Sequence, residues 1–251
     1  MTVTLLDRSL CILKGISPAT ECVLQRRGVL TTKQLATAAH SLFSSKHASQ
    51  LTASFLRIEK ARQLGLLDSL VNSLPIGHRV RVVHDFLPFT AFLDIETDAV
   101  AASSRITCIS VLMNGQLATF IRDQNLDDFL CLWAKCRIVV TFNGKRFDIP
   151  KILREFGLST TPAHIDLIDE ARHYGFRGGL KKIAGAIGWS PRDDNQHSGL
   201  DAVAWWNKYL DTGDTDLLAQ LVVYNQDDVL ALDHLYRKVL KLSVENMQLA
   251  P

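Results

Sequence analysis

Residues 92–97 read FLDIET, a short apolar run broken by carboxylates at Asp94 and Glu96. Its composition predicts a β-strand, and in a strand positions i and i+2 project from the same face. Two acids therefore aim at one point. Like charges side by side on a half-buried sheet repel each other and are costly to desolvate, so the arrangement is unfavourable unless a cation sits between them. Taken alone, the hexapeptide also fits an edge strand that turns its acids to water.

The surrounding sequence predicts an α/β domain. FTAFLDIET, RITCISVLMNG and QLATFIRD are three β-rich runs separated by turn-like positions, as in consecutive antiparallel strands. A helix with Leu126, Phe129, Leu130 and Trp133 at helical spacing follows, then a buried strand RIVVTF, then helices to about Leu242. The predicted order is βββαβα followed by helices. No internal repeat or low-complexity tract interrupts it.

Two further acids fall at informative places. Asp148 follows the buried strand through an Asn143-Gly144 turn and opens the next predicted helix. That is the carboxyl end of a strand, where α/β sheets gather ligands, although a helix N-terminal acid favoured by the dipole reads the same way. In LVVYNQDDVLALDHLY, Tyr224 and Asp228 stand at i and i+4 on one helical face, with Asp227 pointing elsewhere. In isolation these two acids also suit solvated helix positions, and Tyr224 suits a core. Together, Asp94, Glu96, Asp148 and Asp228 form a set of hard oxygen donors that suits two Mg²⁺ or Mn²⁺ ions, for which phosphodiester hydrolysis is the natural reaction.

The front of the chain has a different texture. Residues 1–88 hold 11 Lys+Arg against 5 Asp+Glu, whereas residues 89–251 hold 17 against 21. A basic unit beside an acidic one suits a phosphate-binding platform joined to a cation-binding unit, and it also suits an unevenly solvated surface. Residues 13–28 read as a tight turn and a helix, with Ser17 as cap, Pro18 in the first turn and Gly28 as stop, and Thr31 or Thr32 opens a second helix. Apolar spacing from Ser49 to Leu74 predicts a mostly helical segment weakened at Gly65. LPIGHRVRVVHDFLPF mixes Pro, Gly and an alternating apolar run, which predicts a linker or an edge strand. The expected organisation is a small all-α domain over residues 1–75, a linker over 76–88 and an α/β domain over 89–245.

Cys11, Cys22, Cys108, Cys131 and Cys136 form no CxxC pair and sit mostly in apolar runs, as reduced thiols in a cytoplasmic protein do. The first residues lack the features of a signal peptide, and no apolar run approaches the roughly 20 residues of a membrane span, so no membrane partner is expected. His164, His173 and Asp166 show no metal spacing and are expected to be structural.

FLDIET, TFNGKRFDIP and YNQDDV, in this order over roughly residues 89–242, resemble the three exonuclease motifs of the DEDD superfamily. The resemblance implies an RNase H-like fold, whose mixed sheet has three antiparallel strands and then parallel strands, flanked by helices. It assigns metal-ligand roles to Asp94, Glu96, Asp148 and Asp228. Tyr224 lies four residues before the last acid, which marks the tyrosine-bearing (DEDDy) branch, where the phenol orients the nucleophilic water. The histidine branch needs His five residues before Asp228, where Val223 stands. Among family members the chain is similar in texture to stand-alone predicted exonucleases and to the proofreading domains of family B DNA polymerases.

The implied activity is a 3′–5′ exonuclease acting on DNA or RNA, with Thr97, Asn143, Lys145 and Arg146 as candidate substrate contacts. An RNase H-like endonuclease and a catalytically inert nucleic-acid-binding module are the rival readings. LKGISPATECVLQRRGVLTTKQLA also resembles a helix-hairpin-helix module, which binds a nucleic-acid phosphate through turn amides. Ser17 replaces its second glycine.

Overall fold

The computed structural model describes residues 3–101, 103–192, 197–245 and 247. The front of the chain is helical: α1 (Leu5–Arg8), α2 (Pro18–Arg26), α3 (Thr32–Leu42), α4 (Ser45–Gln63), α5 (Leu67–Ser73) and α6 (Val80–Asp85). Local sequence accounts for several of these boundaries. The Ser17 hydroxyl accepts the Thr20 N–H at 3.1 Å with Pro18 in the first turn, and Thr31 and Gln34 form a capping box at the start of α3. Gly65, at φ +66°, breaks the helical run between α4 and α5.

A five-stranded mixed sheet follows, made of β1 (Thr90–Thr97), β2 (Ile106–Met113), β3 (Gln116–Ile121), β4 (Ile138–Thr141) and β5 (Ala163–Asp166). Its order is β3-β2-β1-β4-β5. The pairs β1–β2 and β2–β3 are antiparallel, while β1–β4 and β4–β5 are parallel. The remaining helices are α7 (Phe129–Trp133), α8 (Asp148–Glu155), α9 (Leu167–His173), α10 (Leu180–Ala186), α11 (Gly199–Thr212) and α12 (Thr215–Val244). Among the described residues no helix is long and apolar enough to cross a membrane.

Alternation along β1 assigns its two faces to two cores. Leu93 and Ile95 pack with Phe129, Trp133, Ile149 and Ile152 from α7 and α8. Phe92, on the opposite face with Asp94 and Glu96, stacks on Tyr236 of α12 at a ring separation of 5.1 Å. Helix α12 therefore covers the acidic face, and helices lie on both sides of the sheet, as expected for an RNase H-like architecture.

Two local expectations are corrected. Residues 76–88, read as a linker or an edge strand, instead contain the helix α6, with Val80, Arg81, Val82 and Val83 buried. The alternating VRVV pattern suggests a strand, but Arg81 is turned inward rather than toward water. Its guanidinium meets Glu21 at 2.8 Å with both side chains about 1% exposed, and it also donates to the Ser243 carbonyl. Glu21 further accepts the Cys11 N–H at 3.0 Å. One buried ion pair thus joins the front helices to the end of α12, and the apolar cluster around it runs from Leu6 through Val83 to Phe92 and Val239. The second correction is β5, which lies in a region read as helical. Four residues are too few to show a period, and the strand is defined by its parallel pairing with β4.

Candidate metal centre

The sheet register explains why acids gather at one place. Strand β4 pairs with β1 only over Thr90–Phe92, so β1 runs on past β4 with its β4-side edge unpaired. The chain leaving β4 turns through Asn143, at φ +63°, and Gly144, where a Cβ would lie 2.2 Å from the Thr141 hydroxyl. This tight turn brings the first residue of α8, Asp148, back against β1, where its carboxylate accepts the Ile95 N–H at 3.2 Å. Asp148 therefore takes up a strand-edge donor located between Asp94 and Glu96.

Helix α12 supplies the remaining groups from above. One carboxylate oxygen each of Asp94, Glu96 and Asp228 lie within 4.8 Å of one another. Asp148 stands outside this tight trio, yet among the neighbouring charges it acts most strongly on Asp94. Asn225 is fully buried, and its amide donates to Asp94 at 2.7 Å. Lys181 of α10 places its ammonium 3.6 Å from Asp228 and 3.3 Å from the centre of the Tyr224 ring. The centre thus has four carboxylates and one lysine in close attendance.

Burial first, and then mutual repulsion, push Asp94 and Glu96 well above the usual carboxylate range. Burial likewise pushes Asp148 up to about 7 and Asp228 up to about 6, the latter restrained by Lys181. The Tyr224 hydroxyl is also raised, by burial and by the charges of Asp228, Glu96 and Asp94, so it stays protonated. The buried Asp228 Oδ1 makes no hydrogen bond and faces the Lys181 ammonium at 3.6 Å. Hard oxygen donors and a surplus of negative charge, four carboxylates against the one ammonium of Lys181, fit a divalent cation such as Mg²⁺ or Mn²⁺.

A cavity of about 420 Å³ opens onto the acids, with Thr97, Val100, Asn143, Phe147 and Leu200 on its walls. Of the candidate substrate contacts, Thr97 and Asn143 line it. The Thr97 hydroxyl donates to the Ala99 carbonyl at 2.8 Å and so shapes the loop after β1. Lys145 and Arg146 are exposed on the same turn as Asn143 but do not line this cavity. Asp166 has the expected structural role, accepting the backbone N–H groups of Asn143 at 2.7 Å and Lys145 at 3.1 Å and so fixing that turn. His164 is bonded to Thr141 at 2.8 Å.

Lys181 and Asn225 were not among the sequence candidates. Lys181 reaches the acids only because α10 packs on α12, which no local pattern reports. Asn225 follows Tyr224 directly and is succeeded by Gln226, Asp227 and Asp228, so nothing local singles it out among these polar neighbours.

Residues 91–240 match the family model described as RNase_H superfamily. No curated protein matches the sequence. A similar solved structure is that of the family B DNA polymerase from the hyperthermophilic archaeon Pyrobaculum calidifontis, with a TM-score of 0.50 and 16% identity. The alignment covers 63% of this chain and 26% of the polymerase, so the chain spans about a quarter of that protein and the likeness is one of fold. On the match across its α/β part, the chain belongs to the RNase_H superfamily.

Proposed function

We propose that the protein is a metal-dependent nuclease of the DEDDy type, removing nucleotides from a 3′ end of DNA or RNA with two Mg²⁺ or Mn²⁺ ions. The observation that carries this reading is the convergence of Asp94, Glu96 and Asp228 within 4.8 Å, with Asp148 adjoining through Ile95. In this reading the four carboxylates hold the cations. Bound there, divalent ions supply a water of lowered pKa and charge stabilisation at the leaving oxygen. The protein's own groups do the positioning. Asn225 holds Asp94, Lys181 offsets part of the charge on Asp228, and the protonated Tyr224 hydroxyl orients the attacking water. The apolar walls offered by Val100, Phe147 and Leu200, all exposed, receive a terminal nucleotide, with Thr97 and Asn143 beside it. Lys145 and Arg146 meet the backbone phosphates further out.

We read residues 1–75 as a helical unit joined through 76–88 to the nuclease unit of 89–245. Its helix-hairpin-helix-like turn acts here as scaffold. The Ser17 hydroxyl already accepts the Thr20 amide, Pro18 has no N–H, and Glu21 is committed to Arg81. The five free cysteines suit a reducing cytoplasm.

The test is degradation of 5′- and 3′-end-labelled single- and double-stranded DNA and RNA with Mg²⁺ or Mn²⁺, using the wild-type protein and Asp94→Ala. Stepwise shortening from the 3′ end, lost in the variant, is expected. Cleavage of circular single strands identifies an endonuclease instead. Binding without turnover, unchanged in the variant, identifies an inert binding module.

A further inference from the structure

Helix α8 reaches the acidic centre with its first residue, Asp148, and the connection between β1 and β2 with its later turns. Lys151, Arg154 and Glu155 stand at i, i+3 and i+4 and so share a helical face. The Lys151 ammonium donates to the Ser104 hydroxyl at 2.5 Å and to the Ala101 carbonyl at 3.3 Å. Arg154 donates to the Ser104 carbonyl at 2.5 Å, and Glu155 accepts the Ile106 N–H at 3.4 Å. The neck of this loop is closed by the Asp98 carboxylate, which accepts the Arg105 N–H at 2.8 Å, and Asn207 of α11 donates to the Asp98 carbonyl at 3.3 Å. Val100, 74% exposed, rides on the loop as one wall of the cavity that opens onto the acids. Lys151 faces a second wall as well. Its ammonium lies 5.0 Å from the centre of the Phe147 ring, and Phe147 lines that cavity while Lys151 does not. The lysine is 6% exposed, and its ammonium is met by a hydroxyl, a carbonyl and a ring rather than by a carboxylate. A buried ammonium without a counter-charge costs more than an apolar side chain of the same length, so packing alone does not account for it.

We infer that Lys151 is a positioning residue for the substrate, tying the Val100 loop and the Phe147 ring to one helix and so holding both cavity walls in place before the chain end arrives. The inference rests on the nuclease reading and deepens it, since it concerns how that same site receives its substrate. The physical effect is preorganisation. A loop that is ordered only when the substrate binds subtracts that ordering from the affinity. When the receptive arrangement is present in a fraction of the molecules, the apparent affinity falls by that fraction. Asp148 is held separately, by the Ile95 N–H, so a loosened loop leaves the acids where they are. The signature of losing Lys151 is therefore a raised KM at unchanged kcat.

Lys151→Met keeps a long unbranched side chain and removes the ammonium, and Ser104→Ala removes its hydroxyl partner without adding volume. Both are compared with wild type in steady-state cleavage, with Mn²⁺, of the end-labelled DNA or RNA that wild type degrades fastest. Hydrogen exchange of the loop between β1 and β2 and calorimetric titration with Mn²⁺ accompany the kinetics. For Lys151→Met the expected result is a KM raised about ten-fold with kcat within about two-fold of wild type, faster exchange in the loop and unchanged Mn²⁺ affinity. Ser104→Ala should show a smaller shift of the same kind. The proposal is overturned by a KM within about two-fold of wild type in both variants, or by kcat and Mn²⁺ affinity falling together, which makes Lys151 a support of the acids instead. If Lys151→Met does not fold, Ser104→Ala decides on the same readings. A wild-type protein that cuts no end-labelled substrate overturns the nuclease reading and this proposal with it, whereas an active wild type whose KM is unmoved in the variants overturns this proposal alone.

Discussion

The side-chain amide of Asn225 donates to the carboxylate of Asp94 at 2.7 Å, linking positions 131 residues apart and tying helix α12 to strand β1 at the acidic centre. The bond occupies Oδ2 of Asp94. Asn225 is fully buried and its own carbonyl oxygen is unpartnered, so the amide has no other anchor. Asn225→Leu removes the donor while keeping the branched shape, and Asn225→Ala removes it without adding volume. Groups that orient a ligating carboxylate typically contribute 10–100-fold in metal affinity. A loss of at least about ten-fold in Mn²⁺ affinity by calorimetry is therefore expected, with the fold retained by circular dichroism. Unchanged affinity refutes an orienting role for Asn225.

A pH-dependent term lies far from this centre, where α9 meets the segment before α6. Glu170 is about 1% exposed and accepts the N–H groups of Gly77 at 2.8 Å and Arg79 at 3.2 Å. Burial pushes it up to about 7, with Arg79 and these two bonds opposing the rise. Its folded pKa exceeds the unfolded value, so its contribution is greatest below about pH 4.5 and declines as pH rises toward 7. Glu170→Gln keeps an acceptor and removes the titration. Chemical denaturation from pH 4.5 to 7.5 should show the variant gaining up to about 3 kcal/mol relative to wild type as pH increases. A stability difference independent of pH contradicts the shift.

Parts of this molecule were legible in the sequence and parts were not, for physical reasons. Asp94 and Glu96 announce themselves because strand alternation is a strictly local rule, and polar residues that break an apolar run are visible at once. Asp148 needs one more step, the Asn143-Gly144 turn, which is also local. Strand β5 is hidden because Ala163–Asp166 is defined by what it pairs with rather than by its own pattern. Helix α6 is misread because VRVV alternates, and only the distant Glu21 explains a buried Arg81. Lys181 is invisible for the same reason, since its proximity to Asp228 comes from the packing of α10 on α12.

Gly77 shows how tightly the front of the chain is clasped by α9. Its N–H goes to Glu170 and its carbonyl accepts the Tyr174 hydroxyl at 2.8 Å, while its φ is +89°. A Cβ there would lie 2.2 Å from Cδ2 of His173. Gly77→Ala thus meets both left-handed backbone strain and a ring clash, and a loss of about 2 kcal/mol or more is expected. The double variant Gly77→Ala/His173→Ala recovers the steric part but not the backbone part, leaving a cost of about 1 kcal/mol. Thermal melts of the single and double variants separate the two terms. Equal destabilisation in both rules out the clash.

The acidic centre itself imposes a stability cost that a cation should relieve. Burial, followed by Asp148, Asp228 and Glu96, holds the Asp94 carboxyl well above its ordinary range. Because the folded pKa is raised, the stabilising contribution is present at acid pH and is lost as pH rises past the ordinary carboxylate range. In EDTA at pH 8, Asp94→Asn mimics the protonated side chain and removes one of four converging charges. It should therefore exceed wild type in stability by about 1–3 kcal/mol, a gap that closes toward pH 4. Adding Mg²⁺ or Mn²⁺ at pH 8 reverses the order, because wild type gains stability with cation concentration by linkage and the variant, with an incomplete ligand set, does not. At pH 5.5 protons compete for the same oxygens, so the wild-type gain is smaller. Denaturation curves at both pH values, with and without metal, test this. If Asp94→Asn is less stable than wild type at pH 8 in EDTA, the carboxylates are not in mutual conflict and the case for a cation between them fails.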